Sequence, residues 1–350
     1  MNILWAAKTG DSNAWYHIMP FKMTSFINKI HVCRYKKPQR ELKGVELHNF
    51  NHSNIIIELV NYTLTCLNIC RKEKIDLIVT FNPFPWGIIS FIIAKIYGKP
   101  IMMGLIGGEL DPSRTSKIKL IVLKIILKHV TIITVTGSKT KALLTSLGYQ
   151  DNKIHVFPHL ADQKHLKLKK NKNYEADILT ITSFLPLKRT KDIIKAMSII
   201  LAKGYNLKLA VLGEGPELSE TKELVNKLGL ENNITFHGYV KDIRPYINNC
   251  KYFIQTSSNE GLSLALVESM AVGLIPIVTN VGDENEIITD GEEGYFIPVG
   301  SPEEIAKKII YLNNNCTKKI ESHIKRKMKF FNIENSNMHM EIILNRLIRG

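Results

Sequence analysis

The sequence predicts an α/β protein made of two Rossmann-like, doubly wound domains. Short apolar runs rich in β-branched residues alternate with longer segments of helical period, which is the pattern of parallel sheets covered by helices. The 350 residues are enough for two domains that each bury a core. A composition of 45% apolar and 23% charged residues is typical of a folded chain and argues against extended disorder.

The apolar runs have the length of buried strands, and they fall into two groups of five. We expect strands at residues 3–7, 77–81, 101–105, 132–136 and 153–157, followed by 178–183, 208–212, 234–237, 252–255 and 275–279. Between the groups, residues 162–177 are polar, lysine-rich and without periodicity, which is typical of a linker. The predicted domains are therefore residues 1–161 and 178–335.

The tail, residues 336–350, contains MEIILNRLI and is predicted to form a final helix that packs back on the first domain. Open parallel sheets bind ligands at the carboxyl ends of their strands. We therefore expect the functional motifs on loops that follow strands, in a cleft that both domains face.

The net charge of +15 is concentrated in the first half of the chain. Residues 1–170 carry 25 Lys and Arg against 10 Asp and Glu, whereas residues 171–350 carry 22 of each. A basic half indicates a polyanionic partner, and the two obvious candidates are nucleic acid and an anionic membrane surface.

One basic segment, KIKLIVLKIILKH, has a helical pattern. Lys117, Lys124 and Lys128 share one stripe beside a broad apolar face, which is typical both of an interfacial helix and of a core-facing helix with a solvated edge. Together with the basic segment 31–44 and the charge of the first half, this pattern favours an anionic membrane as the partner.

The cysteines and the apolar runs indicate a cytoplasmic location. Five cysteines without a CxxC pair do not form a disulfide framework and fit a reducing compartment. The first residues lack the long apolar core of a signal peptide, and no apolar run reaches the ~18 residues that span a bilayer. We expect a cytoplasmic protein that is peripheral on the inner face of the cytoplasmic membrane.

The segment QTSSNEGLSLALVESMAVG carries the most chemistry, because a strand runs into a small-residue loop and then into a helix. Gly261, Leu262 and Ser263 place backbone amides at the helix start, where the helix dipole favours a diphosphate. Glu260 in the loop and Glu268 in the helix can accept hydrogen bonds from sugar and ribose hydroxyls. The pattern alone suits solvated surface acids equally well.

This segment resembles the Glu-x7-Glu segment of the family four retaining glycosyltransferases, EGxGxxxxEAMAxGxPV, with Ser263 in place of its second glycine and Ser269 in place of an alanine. TSFLPLKRTKDIIKAM is similar to the family's GRLxxxKGxxxLIxA segment. Lys188 stands where the family's lysine contacts the donor phosphates. Ser183 replaces the family's arginine, and Arg189 replaces the glycine after the lysine.

Further motifs follow in the family's order and spacing. LGEGP, with Gly213 and Gly215, resembles the family's glycine loop. ITFHGYV, with Gly238, Tyr239 and Val240, resembles the strand and loop whose backbone contacts the base. VTNVGDENEIITDGEEGYFIPVG is similar to its GG-x-x-E-x-I-x-D-G-x-x-G block. The chain is thereby identified as a member of the family, most clearly between residues 178 and 299.

The first half matches the family less closely. The glycine-rich loop after the first strand is reduced to Gly10, which is followed by Asp11. Gly107 and Gly108 stand in IGGELD, where many members have His-Gly-x-Asp. The resemblance implies that these four residues lie on the acceptor side, but it does not identify the acceptor.

The resemblance implies the GT-B fold and metal-independent hexosyl transfer with retention. Its donor is a nucleotide-diphosphate sugar, and its acceptor is a glycan or a lipid-linked sugar in polysaccharide or lipopolysaccharide synthesis. Lys188 and the amides of 261–263 would stabilise the departing phosphate, Glu260 would orient the sugar, and Glu268 would hold the ribose. No cofactor is implied, and no Asp-x-Asp pair occurs to bind a metal at the diphosphate.

Three other classes of function share part of this sequence pattern. A nicotinamide dehydrogenase is disfavoured because no GxGxxG follows the first strand and Leu218 stands where a third glycine would follow Gly213 and Gly215. A sugar-nucleotide epimerase or hydrolase with the same fold stays open, since its nucleotide contacts would be similar. A nucleic-acid binder is suggested by charge alone, and the chain lacks an aromatic-basic sheet signature or a zinc framework.

Overall fold

The structure, a computed structural model, describes residues 1–7, 11–34, 44–49, 54–111, 115–162 and 176–349. The chain divides into two compact units, each with its own sheet and core. Unit 1 consists of Met1–His159 and Ile333–Gly350, and unit 2 consists of Leu160–Asn332. The predicted linker, 162–177, lies almost entirely outside the described residues.

Unit 1 contains a seven-stranded parallel sheet in the order β3-β2-β1-β4-β5-β6-β7. Its strands are β1 (Asn2–Ala6), β2 (Lys29–Arg34), β3 (Val45–Asn49), β4 (Leu77–Phe81), β5 (Ile101–Leu105), β6 (Ile132–Val135) and β7 (Ile154–Val156). Its first five helices are α1 (Asp11–Met23), α2 (Ile55–Lys72), α3 (Ile88–Ile96), α4 (Lys117–His129) and α5 (Ser138–Ser146). The central strands are buried throughout, as expected when helices cover both faces of a parallel sheet.

Unit 2 contains a six-stranded parallel sheet in the order β10-β9-β8-β11-β12-β13. Its strands are β8 (Ile178–Ile181), β9 (Leu209–Leu212), β10 (Ile234–Gly238), β11 (Tyr252–Gln255), β12 (Ile275–Thr279) and β13 (Tyr295–Ile297). Its helices are α6 (Thr190–Ala202), α7 (Leu218–Lys227), α8 (Arg244–Ile247), α9 (Leu264–Ala271), α10 (Pro302–Asn314) and α11 (Lys318–Lys327). The doubly wound α/β architecture predicted from the sequence is confirmed.

The last helix, α12 (Ile333–Arg349), is part of unit 1. Met340, Ile343 and Leu344 on α12 are buried in the same apolar cluster as Ile18 and Phe21 of α1. Burial of each such side chain stabilises the fold by roughly 1.5–3 kcal/mol, so α12 is integral to unit 1. No helix of the described ranges combines the length and the apolar character required to cross a bilayer.

Candidate active site

The strand order of unit 2 defines where a ligand fits. β8 and β11 are neighbours in the sheet, although β9 and β10 lie between them in the chain. The connections that leave β8 and β11 therefore run in opposite directions and open a crevice at the carboxyl ends of the strands, which is the usual ligand position in doubly wound folds. The loop after β8 carries Lys188, and the loop after β11 carries Glu260.

Lys188 and Glu260 meet at this switch point. The Lys188 ammonium donates to Oε1 of Glu260, and the Ser257 hydroxyl donates to the same oxygen at 2.7 Å. The Lys188 side chain is 23% exposed and that of Glu260 is 13% exposed, so both charges stay accessible from the crevice. A neighbouring cation and carboxylate that are partly shielded from water can bind a phosphate and a sugar hydroxyl, respectively.

The backbone around Lys188 is fixed by the loop after β11. The Thr256 hydroxyl donates to the carbonyl oxygens of Lys188, at 2.9 Å, and of Arg189, at 3.1 Å. The Ser258 amide donates to the Leu187 carbonyl at 2.7 Å. These three bonds join the two loops across 67 to 71 positions of the chain, so the position of the lysine depends on polar residues of the later loop.

The Arg189 side chain pairs with Asp192, whereas Lys188 pairs with Glu260. The backbone of Arg189 is left-handed, with φ of 50°, and its Nε donates to Oδ2 of Asp192 at 2.7 Å. The guanidinium also lies against Gly300, where an added Cβ would be 2.8 Å from it. Ser183, which replaces the family's arginine, is exposed in the loop after β8. Lys188 is thus the cation that the structure places beside Glu260.

The glycine loop after β9 needs its two glycines for close backbone contact. Gly213, with φ of +121°, would bring an added Cβ within 1.7 Å of the Thr182 carbonyl oxygen. Gly215, with φ of +155°, would bring one within 1.8 Å of the Ser183 carbonyl oxygen. Only glycine accepts both the conformation and the approach, and the loop after β9 therefore lies directly on the loop after β8.

The predicted base-contacting segment lies at the end of β10. The Gly213 amide donates to the Gly238 carbonyl at 2.7 Å, which joins this segment to the glycine loop. The Tyr239 amide donates to Oε1 of Glu214 at 3.3 Å, while the Tyr239 side chain is 70% exposed and Val240 is half-buried. An exposed aromatic ring above a fixed backbone can stack on a nucleobase.

The predicted anion site lies at the start of α9. Ser263 caps the helix, and its hydroxyl accepts from the Leu266 amide at 3.4 Å. The amides of Leu262 and Ser263 donate no hydrogen bond to any of the described residues. Gly261 and Leu262 are buried, so the turn that presents these amides is anchored in the core.

Two further contacts define this turn. An added Cβ on Gly282 would lie 2.1 Å from the Gly261 carbonyl oxygen and 2.7 Å from that of Glu260, and the Asp283 amide donates to the Gly261 carbonyl at 2.8 Å. Glu268 is only 8% exposed, so it is not the solvated helix acid that the sequence pattern also allowed. A carboxylate this deeply buried needs hydrogen-bond partners to offset the loss of its hydration.

The predicted acceptor residues belong to unit 1. Gly107 and Gly108 follow β5 with φ of 123° and 76°, and the Glu109 carboxylate accepts from the Gly107 amide at 2.8 Å. Gly10 lies outside the described residues. Asp11 is the first residue of α1, and its side chain is likewise outside the description.

Sequence reasoning missed the residues that hold the site in place. Ser257 and Thr256 contact Glu260 and Lys188 directly, and Asp192 orients Arg189. The sequence signal for these residues is the polar run TSSN, residues 256–259, at the end of a buried strand. Four small polar residues at that point are more than a turn requires.

The chain is similar to a protein family and to several known proteins. Residues 161–329 match the family model described as glycosyl transferases group 1. The N-acetyl-alpha-D-glucosaminyl L-malate synthase of Bacillus anthracis is 30% identical over 138 residues, which are 39% of this chain and 36% of that protein. The capsular polysaccharide biosynthesis glycosyltransferase CapM of Staphylococcus aureus is 28% identical over 176 residues, which are 49% of this chain and 44% of that protein. The matches thus span less than half the length of these two relatives.

Among solved structures, the crystal structure of Anabaena HepE in complex with UDP-glucose aligns with a TM-score of 0.83 and 16% identity, and covers 100% of both chains. At this identity the likeness establishes the fold, which is the GT-B fold implied by the sequence resemblance. Residues 161–329 of the chain thus resemble the glycosyl transferases group 1.

Proposed function

We propose that this chain is a retaining glycosyltransferase. It moves a sugar from a nucleotide-diphosphate sugar to a glycan or lipid-linked acceptor in the synthesis of a cell-surface glycan. The observation that carries the proposal is the Lys188–Glu260 pair at the switch point of a unit that matches the group 1 family. The relatives named above support it, because one is a capsular polysaccharide glycosyltransferase and another binds UDP-glucose.

The chemistry requires that charge on the leaving diphosphate be stabilised as the bond to the sugar carbon breaks. Lys188 supplies a cation, and the amides of Leu262 and Ser263 supply donors at the positive end of α9. Glu260 accepts from sugar hydroxyls, and Glu268 accepts from the ribose. Retention follows when the acceptor hydroxyl arrives on the face that the phosphate leaves.

A donor screen comes first. Thermal unfolding is measured with UDP-, GDP- and ADP-sugars, because a ligand at ~100 times its dissociation constant adds roughly 2.7 kcal/mol to stability. Release of the nucleotide is then followed with the best donor, with and without membrane lipid as the source of acceptor. Nucleotide release that requires the lipid supports transfer, whereas equal release without it would identify a hydrolase. Conversion of the donor into an epimeric sugar nucleotide, without net release, would identify an epimerase.

Lys188→Ala tests the site itself. We expect turnover to fall by roughly 10²–10³-fold, as when one oxyanion donor is removed. Glu260→Ala should lower turnover strongly without weakening nucleotide binding. Lys191→Ala is the matched control, since this lysine of α6 binds Glu217 and Glu220 instead. Wild-type turnover in Lys188→Ala would overturn the assignment.

We also propose that unit 1 docks on an anionic membrane, on its cytoplasmic face. On α4, the isoleucines 118, 121 and 125 are 75%, 58% and 56% exposed, and Lys117, Lys124 and Lys128 are exposed on the same helix. Exposed apolar side chains beside lysines fit an interface of acyl chains and acidic headgroups. The excess of basic residues in the first 170 positions adds attraction over a longer range.

Vesicle flotation tests this docking. The chain should bind vesicles that contain phosphatidylglycerol, bind phosphatidylcholine vesicles weakly, and be released by salt. Ile121→Glu should abolish binding, whereas Ile342→Glu, at an isoleucine of α12 that is 55% exposed, should not. Equal binding to both kinds of vesicle, or full binding by Ile121→Glu, would refute the proposal.

A further inference from the structure

Three side chains that can bind a metal converge at the edge of the unit 1 sheet. β3 is the edge strand and pairs with β2 in parallel, with His31 opposite Glu46 and Cys33 opposite His48. Glu46 and His48 are two residues apart, so they project from the same face of β3. Their ligand atoms and that of His31 all lie within 4.8 Å of one another.

The separations match the edges of a tetrahedral metal site. Nδ1 of His31 lies 3.2 Å from Nε2 of His48. The Glu46 carboxylate oxygens lie 3.7 Å from Nδ1 of His31 and 3.6 Å from Nε2 of His48. Ligands at ~2.0–2.1 Å from zinc are about 3.3 Å apart at tetrahedral angles. The contact to His31 is made by Oε2 of Glu46 and the contact to His48 by Oε1, so the carboxylate must shift for a single oxygen to complete a three-ligand set, whose atoms already lie within 4.8 Å of one another.

The surroundings of His31 suit a ligand. Its side chain is 1% exposed, and its buried Nε2 has no hydrogen-bond partner among the described residues. Oε2 of Glu73 lies 3.8 Å from this nitrogen. With Nδ1 bound to a metal, Nε2 would carry the proton and face an outer carboxylate, an arrangement common around metal-bound histidines.

Lys29 does not prevent this arrangement. Its ammonium contacts Oε2 of Glu46 at 2.8 Å and Oε1 of Glu73 at 3.1 Å. When Glu46 binds a metal, Lys29 keeps its partner Glu73, and Glu46 still has a second oxygen. Because Lys29 and Glu46 are exposed, losing their ion pair costs little stability.

We infer that His31, Glu46 and His48 bind one divalent transition-metal ion, of which zinc best suits two imidazoles and a carboxylate. The ion joins the edge strand β3 to β2 and leaves a fourth position for water. This site lies in unit 1, whereas the residues proposed to bind the donor diphosphate lie in unit 2. The inference therefore does not depend on the proposed enzymatic function.

The experiment uses the full, untagged chain after treatment with a chelator. Zinc is titrated against a chromogenic competitor, and cobalt(II) serves as a spectroscopic probe. We expect one zinc ion per chain and the intense visible bands of tetrahedral cobalt. His48→Ala and Glu46→Gln should each weaken zinc binding by more than about 100-fold, because loss of an outer-shell partner alone weakens it 10–100-fold.

Controls separate the site from adventitious binding and from misfolding. His129→Ala removes an exposed histidine at the end of α4 in the same unit and should leave the zinc affinity unchanged. Circular dichroism and affinity for the best nucleotide should be unchanged in His48→Ala, which is on the sheet edge of unit 1. Zinc affinity that is equal in wild type, His48→Ala and Glu46→Gln would overturn the inference. The absence of one bound zinc ion per chain would also overturn it, and the contact between His31 and His48 would then be a hydrogen bond.

Discussion

Gly282→Ala is the most demanding test of the active-site geometry. The added Cβ would lie 2.1 Å from the carbonyl oxygen of Gly261 and 2.7 Å from that of Glu260. Carbon and oxygen atoms do not approach so closely, so the Glu260–Gly261 backbone must move by about 1 Å. Such a displacement at a reacting group lowers the rate by roughly 10²-fold, or about 2.7 kcal/mol of activation free energy.

The assay is the release of nucleotide from the best donor in the presence of acceptor lipid, together with nucleotide binding by calorimetry. In Gly282→Ala, the rate of release should fall and nucleotide binding should weaken, because the amides of Leu262 and Ser263 move with the same turn. Gly204→Ala is the matched control. Its φ is +86° and no atom of the described residues lies within 4 Å of the new Cβ, so it carries backbone strain of about 1–2 kcal/mol without a clash. If Gly282→Ala is folded and turns over like wild type, the Glu260–Gly261 turn is not the catalytic element.

Three other outcomes are expected. Ser257→Ala removes a hydrogen bond to the Glu260 carboxylate worth about 1.5–3 kcal/mol, so turnover should fall roughly tenfold or more at unchanged nucleotide affinity. Ser322→Ala is the control and should keep wild-type kinetics, because this serine of α11 is exposed and its hydroxyl donates to the Lys319 carbonyl. Gly213→Ala places a Cβ 1.7 Å from a carbonyl oxygen at φ of +121° and should lower the urea midpoint of unfolding more than Gly204→Ala does. Burial holds the pKa of His17 well below 6.5, so the unfolded chain binds a proton that the native chain does not. Stability is therefore lost as pH falls below about 6.5, by about 1.4 kcal/mol per unit for this group, and urea titrations of His17→Gln should show a smaller pH slope.

Much of the fold was predictable from local pattern. The strands that are continuous apolar runs, such as β4 and β5, were found at their observed bounds, because burial on both faces excludes polar residues. β2, β3 and β13 were missed. β2 overlaps the segment 31–44, in which the sequence shows mainly basic residues, yet residues 30–33 are buried. β3 is a half-exposed edge strand with polar residues. β13 has only three residues, which is too short to show a period.

The site was predictable where its residues share one segment. The spacing from Glu260 to Glu268 and the cap at Ser263 are local, and the family resemblance singled out Lys188. The contacts of Thr256 with the lysine loop and the close approach of Gly282 to Gly261 are not local, because they depend on how separate loops pack. A single sequence does not record such contacts.

The bond between Lys188 and Glu260 has a consequence for the order of binding. A diphosphate that binds Lys188 must compete with the Glu260 carboxylate, and it frees that carboxylate to accept from sugar hydroxyls while Ser257 still holds it. Glu260→Gln removes the competitor but keeps the shape, so we expect the nucleotide diphosphate to bind more tightly. Because the pair is partly exposed, it is worth about 1 kcal/mol, and the gain should be roughly fivefold. Calorimetry with the nucleotide alone measures this gain, and turnover should fall in the same variant. Weaker nucleotide binding by Glu260→Gln would show that the carboxylate supports the diphosphate site and does not compete with it.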